Sequence, residues 1–284
     1  MIFPHKKPSR PIEMGREGFC ARRSGPLWRE RDAPNFPREG REVDMIGFVA
    51  WTEEKAPRRA GESAILRMRF LEVRLLRRKN TPAAVLRRRA AGAAKKLQKV
   101  GVTRAVFPEA FPYEAIFAKY GVFPVEVTRL YRSIAGEWLR AELAGRGISG
   151  ATRVAVCADH LTGELVRAVT ELSLRYRYVL LDIPDGGEEL ARQLRREFGV
   201  SLLLRPAPAQ MEAAEALLLF APRPEPHCAV TLPLYDGAPV PAHVSLSVPV
   251  QEERTPHDCR RDQLFAALYS AGALRAEQIE VRVS

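Results

Sequence analysis

The stretch RVAVCADHLTGELVRAVTELSLRYRYVLLDI, residues 153–183, decides the fold. It opens on Arg153 to Cys157, apolar after its first residue, and closes on a second apolar run, Tyr178 to Ile183. Between them Leu161, Leu165, Val169, Leu172 and Tyr176 recur every three or four residues, which lines one face of an α-helix. Short strands apolar on both faces, joined by an amphipathic helix, belong in a parallel sheet covered by helices. The alternation continues downstream. A helix carrying Leu190, Leu194 and Phe198 stops at Gly199, and strands follow at Val200 to Leu204 and Leu217 to Phe220. Residues 151–224 therefore predict an α/β, Rossmann-like, doubly wound, mostly parallel sheet.

Upstream, residues 124–147 predict a linking helix, because Val127, Leu130, Tyr131, Ile134, Trp138 and Ala141 share a face and Gly145 supplies a stop. Residues 45–123 predict a smaller α/β subdomain. Its first strand is Ile46 to Trp51, followed by a loop at Arg58 to Glu62. Leu66, Met68 and Phe70 then alternate with Arg67 and Arg69 before the apolar phase shifts to Leu71, Val73 and Leu75, which predicts a strand with a bulge in preference to the helix that Leu66, Phe70 and Val73 would also fit. Pro82 opens a helix with the stripe Leu86, Ala90, Ala93, Ala94 and Leu97, and Arg104 to Phe107 is a short strand.

Downstream, residues 225–284 predict an added β-hairpin, helix and strand. Val230, Leu232 and Leu234 would pair across Asp236-Gly237 with Val244, Leu246, Val248 and Val250, and Pro233 and Pro249 would push those strands to an edge. A helix with Leu264, Phe265, Leu268 and Tyr269 ends at Gly272, before a strand with Ile279, Val281 and Val283.

Residues 1–44 read differently. Pro4, Pro8, Pro11, Pro26, Pro34 and Pro37 interrupt every short period, so the segment is expected to be a disordered tail or translated upstream sequence. Arg41-Glu42-Val43 can be encoded by a purine-rich ribosome-binding string just before Met45, which points to Met45 as the native start.

With 46% hydrophobic and 28% charged residues, the composition excludes a wholly disordered or fibrous chain. No apolar run approaches the roughly 20 residues of a membrane-spanning helix, and the N-terminus lacks a secretory core. The expected setting is the bacterial cytoplasm, away from membrane.

The net charge of +11 is local. Residues 45–100 hold 15 basic and 4 acidic side chains, whereas residues 101–284 hold 20 and 23. Arg67, Arg69, Arg74, Arg87, Arg88, Arg89, Lys95 and Lys96 thus mark a unit at 65–99 that could meet an acidic partner, nucleic acid included. The alternative is a solvated helix face. Arginines outnumber lysines 37 to 8, a bias that a GC-rich genome produces by itself.

Dinucleotide binding would need a glycine-rich turn after the first strand of the parallel sheet, so that pyrophosphate can approach backbone N–H groups. That turn is Cys157-Ala158-Asp159-His160-Leu161-Thr162-Gly163, with one glycine and with Asp159 placed to cap the helix and repel phosphate. Asp182 lies where an acid would hold a ribose hydroxyl, yet cannot replace the fingerprint alone. No cofactor is expected. Cys157, His160 and Asp182 would gather at the strand-end edge, where nucleophilic or acid/base chemistry is conceivable; ordinary packing, capping and turn roles explain them as well. Cys20, Cys157, Cys228 and Cys259 form no C-x-x-C pair, and His227-Cys228 and His257-x-Cys259 lack further ligands, so neither disulfide nor metal site is expected. The leading expectation is a non-catalytic binding or interaction module; the alternatives are a polyanion binder through 65–99 and a small-molecule enzyme at the strand-end edge.

Overall fold

A computed structural model describes residues 45–54, 61–148, 152–224, 228–239 and 242–283. The tail 1–44, Cys20, Arg58 to Ala60 and His227 lie outside those residues.

The N-terminal sheet contains β1 (Ile46–Thr52), β2 (Gly61–Ile65), β3 (Met68–Leu76), β4 (Arg104–Val106) and β5 (Phe123–Pro124) in the order β2-β3-β1-β4-β5. Only β2 runs antiparallel to its neighbour. Helix α1 (Ala83–Lys99) crosses from β3 to β4 and lays Ala90, Ala93, Ala94 and Leu97 on Val49, Leu71, Val73 and Leu75. The opposite face, with Phe48, Met68, Phe70 and Val106, enters the main core.

The bulge expected near Leu71 is absent. The register of β3 with β1 and β2 is unbroken. Both apolar phases exist because both faces are covered, Met68 and Phe70 on one side and Leu71, Val73 and Leu75 on the other. Leu66 and Arg67 are the turn between β2 and β3, at φ 47° and 70°. Two left-handed residues in a two-residue connection match the right-handed twist of the strands they join.

After α2 (Glu114–Ala118), the expected linking helix is two, α3 (Thr128–Ser133) and α4 (Ala135–Gly145), divided at Ile134. The buried Ser133 hydroxyl donates to the Leu130 carbonyl at 2.7 Å, a local bond that competes with the helical ladder. The break brings the Tyr131 and Trp138 rings to 5.1 Å. It also sets α4 tightly on the following helix: a Cβ on Gly136 would fall 2.4 Å from the Glu171 carboxyl.

The second sheet holds β6 (Arg153–Cys157), β7 (Tyr178–Asp182), β8 (Leu203–Leu204), β9 (Ala216–Leu219) and β10 (Val230–Pro233), all parallel, in the order β10-β9-β6-β7-β8. From β6 the chain steps outward through β7 to β8, then returns to β9 on the other side of β6. That reversal defines a Rossmann-like, doubly wound sheet, with its switch point between β6 and β9. Helices α5 (Gly163–Arg175) and α6 (Gly187–Phe198) supply Leu165, Val169, Leu172, Leu190 and Leu194 to the main core. Among the described residues the other face carries the five-residue α7 (Pro208–Glu212) and a small cluster of Ala155, Cys157, Leu180, Ala214, Leu217 and Leu219. The strand expected from Val200 shortens to Leu203–Leu204.

The expected C-terminal hairpin does not form. β10 is the outermost strand of the parallel sheet, and β11 (Val244–Ser247) pairs with β12 (Glu280–Val283), beyond α8 (Arg261–Ser270). Alternation identifies a strand but not its partner: Val230 and Leu232 bury their side chains beside β9 as well as they would in a hairpin. Pro233 sits at the free edge, where a missing N–H costs nothing. Both sheets share one core, and among its members are Phe70, Trp138, Leu139, Val156, Leu218 and Phe265.

Candidate functional site

Open α/β sheets bind ligands outside the carboxyl ends of their strands at the switch point. Here a cleft of about 280 Å³ opens there. Asp159, His160 and Thr162 enter from the turn after β6, Phe220 to Pro222 from the end of β9, Tyr235 and Asp236 from the end of β10, and Arg132 from α3.

The turn after β6 is not the one the sequence implies. Helix α5 begins at Gly163 and its cap is Thr162, whose hydroxyl accepts from the Leu165 N–H at 3.2 Å. Asp159, three residues earlier, is exposed and does not cap it. A hydroxyl three residues closer to the first helical turn outcompetes the aspartate because only its geometry reaches the free N–H. Leu161, half-buried in the same turn, packs toward the start of α6. Its Cδ1 would lie 2.6 Å from a Cβ at Gly186, which also holds φ 81°, so glycine there is fixed by both close approach and backbone conformation.

Arg223, in the loop after β9, stands beside the cleft. Its guanidinium reaches over the end of β6, donates to Asp182 at the end of β7, and contacts the Ala158 carbonyl at 3.2 Å and the Asp159 carboxylate at 3.3 Å. One side chain from the loop after β9 thus joins the carboxyl ends of β6 and β7. Arg132 is likewise engaged, donating to the Leu234 carbonyl at 2.6 Å and pairing with Asp236 at 3.4 Å. Both guanidinium groups at the cleft are thus committed to the chain's own oxygens.

Cys157, His160 and Asp182 do stand at one strand edge, but no hydrogen bond joins them among the described residues. Cys157 is 3% exposed, and burial pushes its thiol up to about 11. His160 is exposed, and Asp182 is held by Arg223. Cys259 is buried near the start of α8, its thiol pushed up to about 12 by burial, and no group of three or more metal-ligating side chains occurs among the described residues.

The basic residues do not form one sheet face. Arg67 lies in the β2–β3 turn, Arg69 pairs loosely with Glu62 at 3.9 Å, and Arg74 pairs with Glu72 at 2.6 Å on the side of β3 away from α1. Arg89 donates to the Leu76 carbonyl. Arg87, Arg88 and Lys95 are exposed on α1, with Lys96 half-buried. The residues that sequence reasoning missed are Arg223, Arg132, Tyr235 and Asp236; a lone arginine between Pro222 and Pro224 carries no signal in one dimension.

No protein-family model and no curated protein matches the chain. Solved structures overlap it in part. They include L-tryptophan dehydrogenase from Nostoc punctiforme (11% identity, TM-score 0.26, 62% of this chain and 56% of that one) and ornithine carbamoyltransferase from Pyrococcus furiosus (16%, 0.24, 62% and 58%). D-lactate dehydrogenase with NAD+ from Lactobacillus jensenii gives 13% identity and a TM-score of 0.22 over 53% and 49%. The chain spans about half of each of these proteins. The Rossmann-like description rests on this chain's own strand order. No helix among the described residues is long and apolar enough to cross a membrane.

Proposed function

We propose that this chain is a non-catalytic binding or interaction protein, built on a Rossmann-like sheet whose dinucleotide path is closed by its own side chains. The observation that carries the proposal is Arg223, bridging Asp182, Asp159 and the Ala158 carbonyl across the end of β6. Asp182, the one acid placed for a ribose, already has its cation. The turn after β6 offers one glycine, Gly163, where close backbone approach of a pyrophosphate needs several. A buried, protonated Cys157 is a poor nucleophile at neutral pH, which supports the absence of chemistry at the same edge.

Native mass spectrometry and calorimetric titration with NAD, NADP and FAD test the proposal directly. The expected result is no stoichiometric adduct and no saturable heat. A one-to-one complex with a dissociation constant below about 100 µM, some 5.5 kcal/mol of binding, would overturn it.

A further inference from the structure

Carboxylate pairing of the described arginines varies along the chain. Over most of the chain a carboxylate stands beside the guanidinium, as in Arg104–Glu126, Arg140–Glu137, Arg192–Glu189, Arg205–Glu188 and Arg282–Glu280. Along α1 and the loop before it this stops. Among the described residues, Arg77, Arg78, Lys79, Arg87, Arg88, Lys95, Lys96 and Lys99 have no carboxylate within ion-pair distance, and α1 has no acidic residue in its 17 positions. A solvated face in an ordinary protein mixes both signs, as the rest of this chain does. This face leaves its cations uncompensated.

We infer that the outer face of α1 docks on the phosphate backbone of double-stranded DNA without reading its sequence. Arg88, Lys95 and Lys99 lie opposite the buried stripe Ala90, Ala93, Ala94 and Leu97, flanked by Arg87 on one side and Lys96 on the other. From residue 88 to 99 the helix rises about 16 Å, roughly five base-pair steps. Between the cations stand Ala84, Ala91 and Gly92, small enough to let a groove close around the helix; the major groove of B-DNA, about 12 Å wide, admits one, while that of duplex RNA does not. Single strands bind chiefly through stacked aromatics, and α1 carries none: Trp51 packs on Phe111 at 5.4 Å and lies under Arg77 at 5.3 Å, and the exposed Phe123 belongs to the edge strand β5. An acidic protein would want an apolar anchor, and around α1 the exposed apolar side chains are isolated at its two ends, Val85 in the first turn, 37% exposed, and Val100 at the C-cap, 53% exposed. The inference goes beyond the closed cleft and is independent of it, since a bound dinucleotide would sink that reading and leave this one standing.

Fluorescence anisotropy of the full chain with a labelled 20-base-pair duplex of arbitrary sequence supplies the test. If the five outward cations each neutralise one phosphate, affinity falls about 500-fold between 50 and 200 mM salt. The triple variant Arg88→Gln, Lys95→Gln, Lys99→Gln should weaken binding at 50 mM and shrink that dependence to about 12-fold. A control variant, Arg140→Gln, Arg192→Gln, Arg282→Gln, removes three carboxylate-paired arginines and should change neither quantity; melting curves check that both variants are folded. The inference is overturned if the wild-type chain ignores the duplex at 50 mM salt, if the α1 variant keeps the wild-type salt dependence, or if the control loses as much. Tighter binding to single-stranded DNA, duplex RNA or polyglutamate than to the DNA duplex would overturn it equally.

Discussion

Replacing Arg223 by alanine strips the switch point of its internal cation and leaves three oxygen groups without their donor. The Asp182 contact dominates, because its side chain is 36% exposed and that of Arg223 28%, whereas Asp159 is 67% exposed. A charged hydrogen bond contributes about 1.5–3 kcal/mol when well buried. With a third of each partner in water, screening lowers this to about 1–2 kcal/mol for the whole cluster. In a double-mutant cycle, Arg223→Ala with Asp182→Asn should return a coupling of about 1 kcal/mol, and Arg223→Ala with Asp159→Asn about 0.3 kcal/mol. Urea denaturation followed by far-UV circular dichroism reads both; with a slope near 3 kcal/mol per molar, a 1.5 kcal/mol loss moves the midpoint by about 0.5 M. Arg223→Ala should not create a dinucleotide site, since the turn after β6 still has a single glycine, Gly163. A coupling to Asp182 no larger than that to Asp159 would refute the bridging geometry and reopen the nucleotide path.

Three further outcomes follow from packing and burial. Gly47→Ala places a methyl 3.1 Å from the Ala105 Cβ and the Leu97 Cδ1 and 3.2 Å from a Val102 methyl, all buried; crowding should cost about 1–3 kcal/mol by urea denaturation, and an unchanged midpoint would contradict the packing under α1. Glu142, 4% exposed, accepts from the Trp138 indole N–H at 3.1 Å and meets the His243 ring at 2.8 Å; Glu142→Ala should cost about 2–3 kcal/mol by the same assay, and a loss below 0.5 kcal/mol would dismiss the cluster. Cys157 and Cys259 have thiols raised to about 11 and about 12 in the folded chain, so the native state holds protons that the unfolded state has released. Stability should be undiminished by these groups below about pH 8.5, then fall by up to about 1.4 kcal/mol per pH unit for each thiol as pH rises toward 11 and 12. Melts from pH 8 to 10.5 on the wild type and on Cys157→Ala would show the slope lessen in the variant, and identical slopes would rule out the burial effect.

The stretch 153–183 gave the strand–helix–strand unit and its neighbours because periodicity and burial are properties of consecutive residues. The stripe of α1 was legible for the same reason, since Ala90, Ala93, Ala94 and Leu97 meet the sheet wherever the helix lies. Residues 66–75 and 230–250 misled because alternation is blind to what covers each face. Two overlapping phases in β3 are one strand buried on both sides, and two alternating segments near the C-terminus are strands of two different sheets. At the cleft, Asp159, His160 and Asp182 could be placed from the strand ends, but the residue that defines the site could not. Arg223 is separated from Asp182 by 41 positions and joined to it by strand order alone.

By itself, then, the sequence determined the α/β class, the parallel second half, the missing glycine turn and the concentration of positive charge in residues 45–100, all quantities written in local composition and spacing. Only the tertiary structure decided which strands are partners, that Arg223 joins Asp182, Asp159 and the Ala158 carbonyl, and which cations have carboxylates beside them. Each of these is a relation between residues distant in the chain, and charge compensation in particular acts through distances of a few ångströms in space, which a one-dimensional count of signs does not contain.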